Sequence, residues 1–79
     1  MLTPPISTTQ EELTTLIAYD GSGRPEYIGR AIPGTAVADD GWQIQKVVYG
    51  ASGPTSYAYP AGNNSYQYVW NDRATYVYS

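Results

Sequence analysis

Tyr27-Ile28-Gly29-Arg30-Ala31-Ile32-Pro33-Gly34-Thr35, a small-residue connection, then Gly41-Trp42-Gln43-Ile44-Gln45-Lys46-Val47-Val48-Tyr49 is the stretch that decides the fold. Both halves alternate in the period-two manner of a strand. A Pro33-Gly34 turn and an Asp39-Asp40-Gly41 turn lie between them. Ile28, Arg30 and Ile32 share one side of the first strand; Tyr27, Gly29 and Ala31 share the other. In the second, Trp42, Ile44, Lys46 and Val48 share a side, opposite Gln43, Gln45, Val47 and Tyr49. Trp42 is the largest apolar side chain of the pair. It is expected to anchor the core, packed by Ile28, Ile44 and Val48. Gly29 weakens a strand interior, so its place there signals a bulge or a close approach of another backbone or a ring.

Working outward, Leu13 to Tyr19 is a β-prone run followed by the turn Asp20-Gly21-Ser22-Gly23. Gly50-Ala51-Ser52-Gly53-Pro54 repeats that turn logic after Tyr49. Tyr57-Ala58-Tyr59-Pro60 reads as a short strand ended by proline, and Gly62-Asn63-Asn64 as a turn. Tyr66, Tyr68 and Trp70 align on one side of a further segment, and Thr75 to Tyr78 reads as a last strand. The expected class is all-β: a small antiparallel sandwich or barrel of five to six short strands over residues 13–79. Residues 1–12, with Pro4-Pro5 and isolated Leu2 and Ile6, are expected to form an extended arm.

Composition narrows the function. A chain of 79 residues buries only a bit over 60% of its unfolded surface and is marginal alone. It has no Cys and no His, which removes disulfides, thiolate metal sites, the commonest zinc ligand and the usual general base. Oligomerisation or docking on a larger body is the remaining route to stability. The net charge of −3 and the scattered cations lack the footprint of a nucleic-acid binder. No apolar run reaches the roughly 18–20 residues of a membrane span, and the N-terminus lacks the pattern of a signal peptide. Nine Tyr and two Trp with no Phe favour rings that are half buried and half wet, as at contact surfaces.

No constellation carries catalysis. Glu11-Glu12 and Asp39-Asp40 are adjacent in sequence and so diverge on a strand or are solvated in a turn. Asp20-Gly21-Ser22-Gly23 lacks the later acidic ligands of a calcium loop. A Ser or Thr nucleophile has no histidine to activate it. No enzyme activity, metal or cofactor is expected. The side shared by Tyr66, Tyr68 and Trp70, with Tyr57 and Tyr59 nearby in sequence, is expected to pack on the Trp42 strand or on a neighbouring subunit, or else to form a stacking platform for sugar rings. Asn63, Asn64 and Gln67 stand ready as hydrogen-bonding neighbours. Asp72-Arg73 is expected to tie a corner together through a local ion pair and backbone hydrogen bonds.

The segments Tyr27-Ile28-Gly29-Arg30-Ala31-x-Pro33-Gly34-Thr35, Gly41-Trp42-Gln43-Ile44-x-Lys46 and Val69-Trp70-Asn71-Asp72-Arg73-Ala74-Thr75-Tyr76, with the terminal Tyr78-Ser79, resemble a group of short virion proteins of tailed bacteriophages. The resemblance spans about residues 19–79 and leaves the N-terminal arm unmatched. Where that group carries Trp-Ala-Asp-Gly, this chain has Tyr59-Pro60-Ala61-Gly62, so a role for that Asp does not carry over. The resemblance implies a non-enzymatic structural protein of the particle, assembled in the host cytoplasm in many copies beside other virion proteins. Its place would be the capsid surface or the tail, baseplate or fibre apparatus. The alternative reading is a carbohydrate-binding module that uses the C-terminal Tyr/Trp face on host surface glycans.

Overall fold

A computed structural model describes residues 12–79. Four strands run as an antiparallel meander: β1 (Thr14–Tyr19), β2 (Pro25–Ala31), β3 (Asp40–Gly50) and β4 (Gly53–Ala58). A short β5 (Tyr68–Val69) pairs with the start of β3, setting Val69 opposite Asp40 and Tyr68 opposite Trp42. A 3₁₀ helix, Trp70–Thr75, follows at once. The all-β class and antiparallel pairing are as the sequence indicates. The strand order is open, ending at β1 and β4, with no barrel closure among the described residues. Of the arm expected over residues 1–12, all but Glu12 lies outside the described residues.

The turns follow local chemistry. Between β1 and β2, the Asp20 carboxylate accepts the backbone N–H groups of Ser22 and Arg24 at 2.8 and 3.0 Å, an Asx-type closure. The Arg24 Nε also donates to it at 3.1 Å. The Arg24 backbone N–H, above all, holds the Asp20 carboxyl below its usual range. Between β2 and β3, Gly34 takes a left-handed φ of 96°, and Thr35 donates both N–H and Oγ1 to the Ile32 carbonyl.

Register assigns the faces. Gly29 lies opposite Leu16 on one side and Ile44 on the other; Tyr27 lies opposite Ala18 and Lys46. Directly paired residues share a face, so Leu16, Ala18, Tyr27, Gly29, Ala31, Trp42 and Ile44 make one inner face. The core on it is Ala31, Trp42, Ile44 and Trp70, with Leu16, Ala18, Tyr27, Tyr68, Tyr76 and Tyr78 packed around. The cover over this face is the irregular segment of residues 59–79. It is stitched by the isolated bridge between Pro60 and Tyr78 and by reciprocal Tyr59 and Ser79 backbone bonds of 3.1 and 2.9 Å.

Two expected core anchors hold and two do not. Trp42 and Ile44 are fully buried. Ile28 pairs with Gln45 and so points to the outer face. The alternation was legible, but the buried side of β2 is the one whose small residues admit a ring. Val48 shares the inner side by period, yet it is 40% exposed and outside the core cluster. Thr75 to Tyr78 is no strand: the 3₁₀ helix precedes it and only Tyr78 makes a bridge.

Trp70 is the covering residue, and Gly29 is its seat. A Cβ built on Gly29 would stand 2.5 Å from Trp70 Cε3, 2.6 Å from its Cζ3 and 3.2 Å from Trp42 Cε3. The two indoles lie against each other with centroids 6.0 Å apart, and the Trp42 Nε1–H is satisfied by the Ala36 carbonyl at 3.0 Å. Gly29→Ala therefore forces the Trp70 ring off the sheet and is expected to cost about 1–3 kcal/mol, the range of an overpacked core. Gly21→Ala, where a Cβ meets nothing within 4 Å, is the control and should be nearly neutral. Urea unfolding of the two variants checks this; equal midpoints would contradict the seating.

Ala61 carries the other local strain. Its φ of 52° is left-handed, and Gly62 follows at 71°, closing the turn in which Gly62 N–H bonds to the Tyr59 carbonyl. A side chain with Cβ resists this region, while Asn tolerates it. Ala61→Asn is expected to stabilise the domain by about 0.5–1 kcal/mol, read as a rise in the urea midpoint.

Candidate functional site

The five aromatic residues singled out by sequence are not one surface. Trp70 is buried in the core, which removes the largest ring from any exposed platform. Tyr68 is half-buried, its hydroxyl reaching the Pro60 carbonyl at 3.4 Å. Tyr59 is half-buried too, and its hydroxyl accepts from Gln45 Nε2 at 2.9 Å. Tyr57 and Tyr66 are exposed. Tyr68 and Trp70 pack against the Trp42 strand, one of the arrangements expected of this stretch, while Tyr66 stays exposed. Strand pairing ends at Val69, and the chain turns into the 3₁₀ helix with Trp70 inward.

The corner Asp72-Arg73 is held differently from the expected ion pair. The Arg73 guanidinium lies over the Trp70 ring at 4.6 Å, and its Nη1 donates to the Trp70 carbonyl at 3.3 Å. Asp72 instead contributes its backbone carbonyl, accepting the Thr75 hydroxyl at 2.7 Å. Arg73 is thus a lid on the buried indole, a cation over a π face. The ion pair among the described residues is Asp20–Arg24, whose guanidinium also sits 4.1 Å over the Tyr49 ring. Tyr49 in turn donates to the Pro25 carbonyl at 2.7 Å.

A tyrosine ladder along the cover was not legible beforehand. Tyr68 meets Tyr76 at 5.1 Å between centroids, Tyr76 meets Tyr78 at 6.5 Å, and Tyr78 meets Tyr27 at 5.6 Å. The ammonium of Lys46 lies 5.8 Å from the Tyr27 ring and 5.9 Å from that of Tyr78. The ladder's hydroxyls turn to backbone: Tyr76 accepts the Val69 N–H at 2.9 Å, and Tyr78 donates to the Arg73 carbonyl at 2.8 Å. Phenylalanine in these places would pack but leave those backbone groups unpaired. The bias for Tyr over Phe was the available signal; which rings meet depends on the path of residues 59–79.

The outer face of the sheet is different in character. Leu13, Ile17, Tyr19 and Tyr57 are exposed, while Val47 is buried beside its cross-strand partner Tyr57. Across it runs one polar chain: Arg30 Nη1 donates to Gln45 Oε1 at 2.9 Å, and Gln45 Nε2 to the Tyr59 hydroxyl. Elsewhere, Ile32 after β2 is 69% exposed and Val77 in the covering segment is 80% exposed. Among the described residues no cavity opens, and no group of acidic side chains gathers in a metal-holding cluster. What this arrangement can do chemically is bind other surfaces through apolar and aromatic contact.

Comparisons with protein-family models, with curated proteins and with solved structures find no match to this chain.

The ladder makes one pH dependence. Burial pushes the Tyr78 phenol well above the usual tyrosine range; Tyr27 and Tyr76 add to the rise and Arg73 opposes it. A raised folded-state value means the native chain holds this proton more tightly than the unfolded one. The contribution is complete below the unfolded value near 10 and is lost as pH climbs beyond it. Stability is expected to fall between about pH 10 and 12, and Tyr78→Phe to make that fall shallower. Urea melts at stepped pH check it; an identical slope in the variant would contradict the assignment.

Proposed function

We propose that this protein is a non-enzymatic structural component of a tailed-bacteriophage particle. It acts in multiple copies through protein–protein contacts, on the capsid surface or in the tail, baseplate or fibre apparatus. The observation that carries the reading is a small domain with one covered sheet face and large apolar residues left in water at Ile17, Tyr19, Ile32, Tyr57 and Val77. Only 14% of the chain is charged, against about 25% in ordinary soluble domains. An exposed surface of this kind marks contact with other macromolecules. The likeness of residues 19–79 to short phage virion proteins supplies the setting in which such contacts are made.

A glycan-binding role draws less support, because the aromatic face it called on is divided between core and surface. The rings still exposed from that set are Tyr57 and Tyr66, and they belong to separate segments of the chain.

A mass-spectrometric inventory of purified particles from a phage that encodes this chain tests the proposal. The chain is expected among the particle proteins. A copy number in step with the shell protein assigns it to the capsid surface, and one in step with the tail proteins to the tail or fibre. Synthesis during infection without incorporation into particles would overturn the reading.

A further inference from the structure

The two edges of the sheet are built unequally. β4 is guarded: Pro54 lacks an N–H, the opposing strand is bulged at Val48/Tyr49, and the Thr55 hydroxyl is turned back onto the Val48 carbonyl at 3.1 Å. β1, Thr14-Thr15-Leu16-Ile17-Ala18-Tyr19, has none of these in its run. It contains no proline, no glycine and no charge, and its register slips only at the last step, between Ala18 and Tyr19. Among the described residues its partner is β2 alone, which leaves its other edge as a row of backbone donors and acceptors. Ile17 and Tyr19 stand exposed along the same strand, and Leu13 is exposed just before it. Soluble proteins do not ordinarily leave such an edge open.

We infer that β1 is the seat of a second copy of this chain, paired antiparallel edge to edge so that two sheets become one of twice the width. Three features single out a second copy. A strand without charge is self-complementary: in a chain of net charge −3 it lets two copies meet without like charges facing each other. Two-fold pairing through one edge closes, whereas joining β1 to β4 would propagate without end, and β4 is the blunted edge. A two-fold perpendicular to the sheet also keeps both covered faces on one side. The apolar Leu13, Ile17 and Tyr19 of the copies then meet on the other. Strand addition of this kind draws its affinity from main-chain bonds and its specificity from alternate side chains. The inference stands on the edge alone. It names a surface for multi-copy contacts whether or not the chain is a virion protein.

Sedimentation velocity of the full-length chain, with amide exchange of β1 read at low and high concentration, is the test. A closed dimer is expected, with alternate amides of Thr14–Tyr19 gaining protection as concentration rises. Ile17→Lys, at an exposed position, should weaken dimerisation about tenfold or more by placing like charges across the two-fold. Ile17→Glu should do the same, and an equimolar mixture of the two variants should recover the dimer. A monomer at every concentration overturns the inference. If its β1 amides are already protected, the chain's own N-terminal residues cover the edge. A dimer indifferent to both substitutions, or an assembly that grows without limit, overturns it equally. A failed dimer leaves the particle inventory untouched, and absence from particles leaves the dimer standing.

Discussion

The structure depends on one contact: the flat of the Trp70 indole against the bare backbone of Gly29. A single sheet has two faces, and a domain of this size has no second sheet to cover either. The inner face closes only because residues 59–79 fold back over it and drive one large ring between β2 and β3. That ring needs a gap in the side chains, and Gly29 is the gap. Each buried indole removes on the order of 200 Å² from water, so Trp42 and Trp70 together supply much of a small core. Arg73 then closes over the ring from the solvent side.

Everything irregular in the chain serves that cover. The turn at Ala61-Gly62, in left-handed backbone, reverses the segment, and the Tyr59–Ser79 pairing holds its two ends together. The 3₁₀ helix begins at Trp70 and keeps its ring on the inner side, with Tyr68. Its Asn71 N–H ties to the Val37 carbonyl in the β2–β3 connection, so the cover is fastened at both ends of the core. The tyrosine ladder fills the remaining width. Its hydroxyls satisfy backbone groups that an irregular segment otherwise leaves unpaired when buried. Among the described residues the outer face and the β1 edge have no cover of this kind, and the proposed contacts with other molecules draw on those surfaces.

Alternation in β2 and β3 was legible because a strand's period is a property of local backbone geometry. It correctly paired Trp42 with Ile44 and put Ile28 opposite Gly29. It could not say which side of β2 would be buried. Bulk suggested the side of Ile28 and Ile32; the structure buries Tyr27, Gly29 and Ala31, because a thick covering ring is accommodated by small residues. The aromatic pattern Tyr66, Tyr68, Trp70 held only in part: Tyr68 and Trp70 pack towards Trp42, and Tyr66 does not. Period-two reading assumes the strand continues, and β5 stops after two residues.

By itself, the sequence determined the all-β class, the two central strands, the turns at Asp20 and Pro33-Gly34, and that Gly29 marks a bulge or a close approach. These follow from interactions within a few residues: side-chain period, turn chemistry and glycine's missing Cβ. The turn expected over Gly50–Pro54 is narrower, at Ala51-Ser52, because β4 already begins at Gly53. Tertiary structure decided which ring fills the gap, which face is covered, that Arg73 lies over Trp70 and not beside Asp72, and which sheet edge stays open. Those outcomes depend on where residues 59–79 travel after the meander ends. That path is set by burial of the Trp70 and tyrosine rings against strands distant in the chain. No local period encodes it, since the covering segment is held by side chains and single bridges and not by a repeating ladder.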